Sequence, residues 1–150
     1  MGSSPIIRTK YHPEALEFSG IFVYPGQMTL LNNDLIDEVT QINGDHGFND
    51  YQEVLNNYGP EGAGMYIDRK LLLAVGELIE AQEELRSGHA TDEVYFNDEK
   101  PEGFLVEAAD AVYRIFGLVG ELNLVDEFVQ AFEVKKQYNA SRPYKHGRAF

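Results

Sequence analysis

The chain has 150 residues, 43% of them apolar, no cysteine and a formal charge of −13 at pH 7. That length and apolar content fit one domain with its own core rather than two. The charge repels nucleic-acid backbones and anionic membranes and favours cations, and without cysteine neither a disulfide frame nor a thiolate metal site can form.

Residues 1–27 are expected to form an irregular N-terminal arm or lid, because Pro5, Pro13, Pro25, Gly20 and Gly26 interrupt short β-branched runs such as residues 20–24. The remaining residues, 28–150, read as an all-α domain. Leu31, Leu35, Val39 and Ile42 recur at helical spacing, which predicts a helix over residues 29–42, stopped by Asn43 and Gly44. A weaker helical stretch follows at residues 48–58, and the glycine- and proline-rich residues 59–64 break it. Those six residues are a turn and not a phosphate loop, since the lysine and hydroxyl residue of that motif are missing.

The third helix should run over residues 66–85, with Leu71, Val75, Leu78, Gln82 and Leu85 in its packing seam. A polar connection leads to Lys100-Pro101-Glu102, where proline opens the next helix. That helix repeats the seam through Leu105, Ala108, Val112, Ile115 and Val119, so the third and fourth helices should pack antiparallel. A fifth helix, over residues 124–138, runs into a basic tail at residues 139–148. The expected architecture is a helical bundle of about five helices behind an irregular arm. No stretch approaches the roughly 20 apolar residues of a membrane span, and no signal sequence is visible at the N-terminus, so a soluble, cytoplasmic protein is expected.

Two acidic couplets stand out, Glu77 with Glu80 on the third helix and Glu107 with Asp110 on the fourth. Carboxylates three residues apart on a helix are neighbours and repel unless a cation joins them. At about 100° per residue, Glu77, Glu80 and Glu84 fall opposite the leucine seam of their helix, and Glu107, Asp110 and Arg114 opposite that of theirs. Taken singly, each face reads as solvated surface. Leu73, Ala111 and Leu118 share the acidic sides, however, so both helices are apolar nearly all round and should be covered on both sides, with self-association completing the bundle. Covered carboxylates need a counter-charge. An all-oxygen ligand set selects a hard cation, Mg²⁺ first with Mn²⁺ as a substitute, whereas His12, His46, His89 and His146 lack metal-ligand spacing.

The segments Gly76-Glu77-Leu78-Ile79-Glu80-Ala81, Lys100-Pro101-Glu102-Gly103-Phe104 and Glu107-Ala108-Ala109-Asp110-Ala111-Val112, together with the tail from Tyr138 to Gly147, resemble the MazG-like all-α nucleoside triphosphate pyrophosphohydrolases. The resemblance covers about residues 66–148. It implies a homodimer or homotetramer that cleaves a nucleoside triphosphate between the α- and β-phosphates, with Mg²⁺ on Glu77, Glu80, Glu107 and Asp110. It also implies that Glu83 or Glu84 orients the attacking water. Arg142 and Lys145, from a tail folded over the site, and Lys100, from the loop, would face phosphate, with Asn139 and Tyr144 orienting the tail or meeting the nucleotide. Many relatives carry a further acidic residue where this chain has Gly76, and an aspartate where it has Gly117.

Overall fold

The computed structural model describes residues 33–143 and the backbone of two short strands, β1 (Leu16–Phe18) and β2 (Ile21–Val23). Two compact units divide the chain, Asn32–Phe128 in one and Met1–Leu31 with Val129–Phe150 in the other. In the smaller unit β1 and β2 pair antiparallel, with Leu16 opposite Val23. The larger unit contains α1 (Asn33–Asp45), α2 (Tyr51–Arg86), a hairpin of β3 (Tyr95–Asn97) and β4 (Lys100–Glu102), and α3 (Phe104–Glu121). Helix α4 (Val125–Ser141) begins there and continues into the smaller unit. The fold is all-α in character, and no helix among the described residues is long and apolar enough to cross a membrane.

Among the described residues four helices stand where about five were expected, because the second and third join as α2 across a kink. The break between them shrinks to a kink at Gly59, whose φ of 67° suits glycine alone, and Pro60 restarts the helix in the first-turn position where its missing N–H costs nothing. Residues 62–64 are helical in spite of their two glycines. Side-chain contacts match residues 66 and 70 of α2 with Glu121 of α3, and Glu77 with Arg114, so the two helices run antiparallel as expected.

The faces of α2 are inverted relative to expectation. Leu71, Val75, Leu78 and Leu85 point outward, and Leu78 is 55% exposed, whereas Ala63, Tyr66, Ala74, Glu77 and Ala81 are buried. The buried face of α2 is thus built from small alanines with Tyr66 and Glu77, and the larger leucines lie outside it. On α3 the expected seam residues Leu105 and Val112 are likewise exposed, while Glu107, Ala111, Phe116 and Leu118 are buried. Helix α1 buries the expected Val39 together with Ile36, whereas the expected Leu35 and Ile42 are exposed. It approaches α3 closely at Gly117 and Gly120, where a Cβ on Gly120 would lie 1.7 Å from Thr40 Oγ1 and one on Gly117 would lie 2.2 Å from Asn43 Nδ2. An aspartate at position 117 would collide with α1.

The far end of the pair is fixed by a second buried carboxylate. Glu121 Oε1 accepts from the Tyr51 amide at 2.7 Å and from the Tyr66 hydroxyl at 2.8 Å, so α3 caps the start of α2 where Asp50 makes no side-chain cap. Lys70 Nζ stands 3.4 Å from Glu121 Oε2 and donates to the Phe48 carbonyl at 2.6 Å.

Candidate metal centre

Glu107 reaches the helix interface because of how α3 begins. Gly103 precedes the helix at φ 126°, and a Cβ there would lie 2.4 Å from the Glu93 carbonyl oxygen, so only glycine lets the hairpin turn directly into the helix. The Val106 and Glu107 amides then donate to the Gly103 carbonyl, which places Glu107 in the first turn, facing α2. One turn later Asp110 follows on the same side. From α2, Glu77 projects into the gap between the small residues Ala74 and Ala81.

Glu77, Glu107 and Asp110 each offer a carboxylate oxygen within 4.8 Å of the others, a group that could hold a metal ion. Glu77 is 7% exposed and Glu107 is 2% exposed, while Asp110 lies nearer solvent. Oxygens on one Mg²⁺ at about 2.1 Å lie about 3 Å apart when adjacent and about 4.2 Å when opposite, so a small closure would complete the shell and leave positions for water or phosphate. Glu107 Oε2, like Glu121 Oε2 and Glu133 Oε2, is buried and meets no hydrogen-bond donor among the described residues, but the other two have Lys70 and Lys136 within 4 Å of that oxygen. Such an oxygen is costly unless a cation or proton occupies it.

Electrostatics agree with that reading. Burial, above all, pushes the Glu107 carboxyl up to about 7, helped by a hydrogen bond to Glu102 and by the charge of Glu80, while Lys100 opposes the shift. Asp110 is raised by burial and then by the charge of Glu77, with Arg114 pulling the other way. Glu102 is lowered, first because Lys100 donates to it at 3.1 Å.

The other expected site residues are placed differently. Glu80 is exposed and stands outside the triad, acting on Glu107 and Lys100 through its charge alone. Glu84 accepts from the Tyr95 hydroxyl at 3.1 Å on both oxygens, which pins the hairpin to α2 and occupies the carboxylate. Glu83 pairs with Arg86 on the surface. Lys100 does reach the site, with Nζ 4.0 Å from Glu107 Oε1. In the smaller unit the Arg142 guanidinium lies over the Tyr138 ring, 4.5 Å from its centre, and Asn139 is exposed. Tyr144 and Lys145 lie outside the described residues.

Three neighbours of the site had no role assigned from the sequence. Arg114 pairs with Glu77, and its one available signal was its place four residues after Asp110 on the same helix face. Tyr95 and Glu102 come from the hairpin, whose three-residue strands carry too little alternation to be recognised. A separate cavity of about 400 Å³, lined in part by Asp37, Thr40, Asn49 and Asn123, sits by α1 and includes none of the carboxylates.

Neither a protein-family model, nor a curated protein, nor a solved structure matches the chain. The chemistry of this centre therefore rests on its own geometry.

Proposed function

We propose that the protein is a MazG-like, Mg²⁺-dependent nucleoside triphosphate pyrophosphohydrolase of the cytoplasm, in which Glu77, Glu107 and Asp110 hold the ion and Mn²⁺ can substitute. The observation that carries this reading is the buried, donor-less oxygen of Glu107 converging with two further carboxylates. When bound, the ion would neutralise charge on the phosphate oxygens and orient the triphosphate. Lys100 supplies a further positive charge beside the triad for the same anion. In the reaction, water oxygen bonds to the α-phosphorus and the bond to the α–β bridging oxygen breaks. Pyrophosphate leaves with that oxygen, nucleoside monophosphate remains, and the surplus proton of water goes to solvent.

The outward faces support self-association into a homodimer or homotetramer. Leu72 is 68% exposed and Leu78 and Ile79 are 55% exposed on α2, a contiguous apolar surface that a second copy would cover.

A second reading, a nucleotide- or metal-binding protein without turnover, is favoured by the engagement of Glu84 with Tyr95 and of Glu83 with Arg86. Neither carboxylate is then free to orient water. One experiment separates the readings: each dNTP and NTP is incubated with the protein and Mg²⁺, pyrophosphate is assayed, and the same preparation is sedimented. Release that disappears in Glu77→Gln and Asp110→Asn supports hydrolysis at this centre. Release surviving either substitution overturns the ligand assignment, tight nucleotide binding without product selects the second reading, and a monomer at assay concentration overturns the self-association.

A further inference from the structure

The centre already contains two cations of its own, and their attachment says what they do. Arg114 rises from α3 one turn beyond Asp110, and its Nε and Nη2 both contact Glu77 Oε1 at 2.5 Å. Both donors thus converge on one oxygen, unlike the parallel two-oxygen fork that arginine forms with a carboxylate when the pair is built for stability. The Arg114 side chain is 44% exposed while that of Glu77 is 9% exposed, so the acid is fixed in the interface and the base reaches it from solvent. Lys100 stands on the other side, on Glu102 and near Glu107.

We infer that Arg114 is a phosphate-binding residue held in reserve by Glu77, competing with the divalent ion in the free protein and turning to the anion once the ion has taken Glu77. The inference rests on the metal assignment above and adds the residue that couples metal to anion. A divalent ion beside Glu77 Oε1 sits next to the guanidinium, and two positive charges sharing one carboxylate repel. The ion therefore weakens the Arg114–Glu77 pair as it binds. A phosphate chain brought to the ion carries several oxygens in the planar spacing a guanidinium matches, and Arg114, 44% exposed, stands about one helical turn from Asp110. Metal and polyphosphate then favour each other, since each relieves the cost the other meets, and such couplings between sites are typically about 5–150-fold.

A purely structural ion pair and a reserve pair predict opposite signs. Calorimetry on the full chain would titrate Mg²⁺ alone and then inorganic pyrophosphate at saturating Mg²⁺, in the native protein, Arg114→Gln and Arg114→Lys. Arg114→Gln should bind Mg²⁺ about 5-fold more tightly, because a competitor is gone, yet bind pyrophosphate at least about 5-fold more weakly. Arg114→Lys, which keeps the charge and loses the fork, should fall between on both counts and guards against misfolding of the glutamine variant. Weaker or unchanged Mg²⁺ binding in Arg114→Gln, or unchanged pyrophosphate affinity, overturns the inference while leaving the metal centre standing. If the native protein binds no Mg²⁺, the centre and the inference fall together. If it binds both ligands but hydrolyses nothing, the hydrolase reading fails and Arg114 retains its role.

Discussion

At one end of the α2–α3 pair, Glu121 is buried with the Tyr51 amide and the Tyr66 hydroxyl on Oε1 and Lys70 Nζ at 3.4 Å from Oε2. At the other end Glu107 is buried as deeply; like Glu121 Oε2, its Oε2 meets no hydrogen-bond donor among the described residues, but Lys100 reaches only to 4.0 Å of its Oε1, and Glu77 and Asp110 crowd it with like charge. The same two helices thus bury carboxylates in two ways. A structural carboxylate arrives with its donors and a single counter-ion, and its burial closes the fold. A carboxylate meant for a ligand is left short of donors and grouped with others, so the fold bears a cost that the ligand removes.

Removing the two acids should therefore move stability in opposite directions. The largest effect is expected at Glu121→Ala, which strips the α2 start of its cap and leaves Lys70 and Tyr66 without their partner. Urea unfolding should show a loss of about 3 kcal/mol, near the lower bound for breaking a buried pair because Lys70 can turn toward water. A loss under about 1 kcal/mol would erase the contrast between the two ends.

Glu107→Gln should do the reverse in the metal-free protein. The folded Glu107 carboxyl titrates at about 7, above its ordinary value of 4.5, so the folded state holds this proton more tightly than the unfolded chain does. Its contribution to stability is complete below about pH 4.5 and is lost as pH rises through about 7. The glutamine variant, which cannot ionise, should stay close to the native protein near pH 4.5 and melt higher at pH 8, where a shift of this size costs at most about 3 kcal/mol, up to about 10 °C in a domain of this size. Adding Mg²⁺ at pH 8 should reverse the order, because only the native carboxylate gains a ligand. Superposed melting curves at pH 5 and pH 8 would show that Glu107 is not strained.

The sequence reveals where the helices lie and which carboxylates matter more clearly than it reveals which way the helices face. Helical spacing locates α1, α3 and α4 to within a few residues, and the couplets contain all three members of the triad. Apolar residues occupy both sides of α2, however, and periodicity weighs hydrophobicity without weighing size. Ala74 and Ala81 are buried and the leucines turned out. Glu80 is offset by about 60° from Glu77 on α2, and with Glu77 buried it remains exposed at the rim. The Tyr95–Glu84 contact that occupies the would-be water-orienting carboxylate depends on a hairpin of two three-residue strands, which no local pattern announces.

Position 76 offers the smallest and most discriminating test. Gly76 lies inside α2 in ordinary helical geometry, and a Cβ there would meet nothing within 4 Å. Within a single chain, Gly76→Ala should stabilise by about 0.5–1 kcal/mol, since alanine loses less backbone freedom on folding and no neighbour objects. Gly117 and Gly120 enjoy no such latitude, because Asn43 and Thr40 already occupy the space a Cβ would need. If a second copy instead packs its helix against this face of α2, the absent side chain is what permits the approach, and the same substitution should destabilise the assembly. Urea midpoints of Gly76→Ala measured across a range of protein concentrations distinguish these cases. A gain independent of concentration places Gly76 on free surface, whereas a loss that grows as the protein associates places it inside the interface that covers the outward leucines.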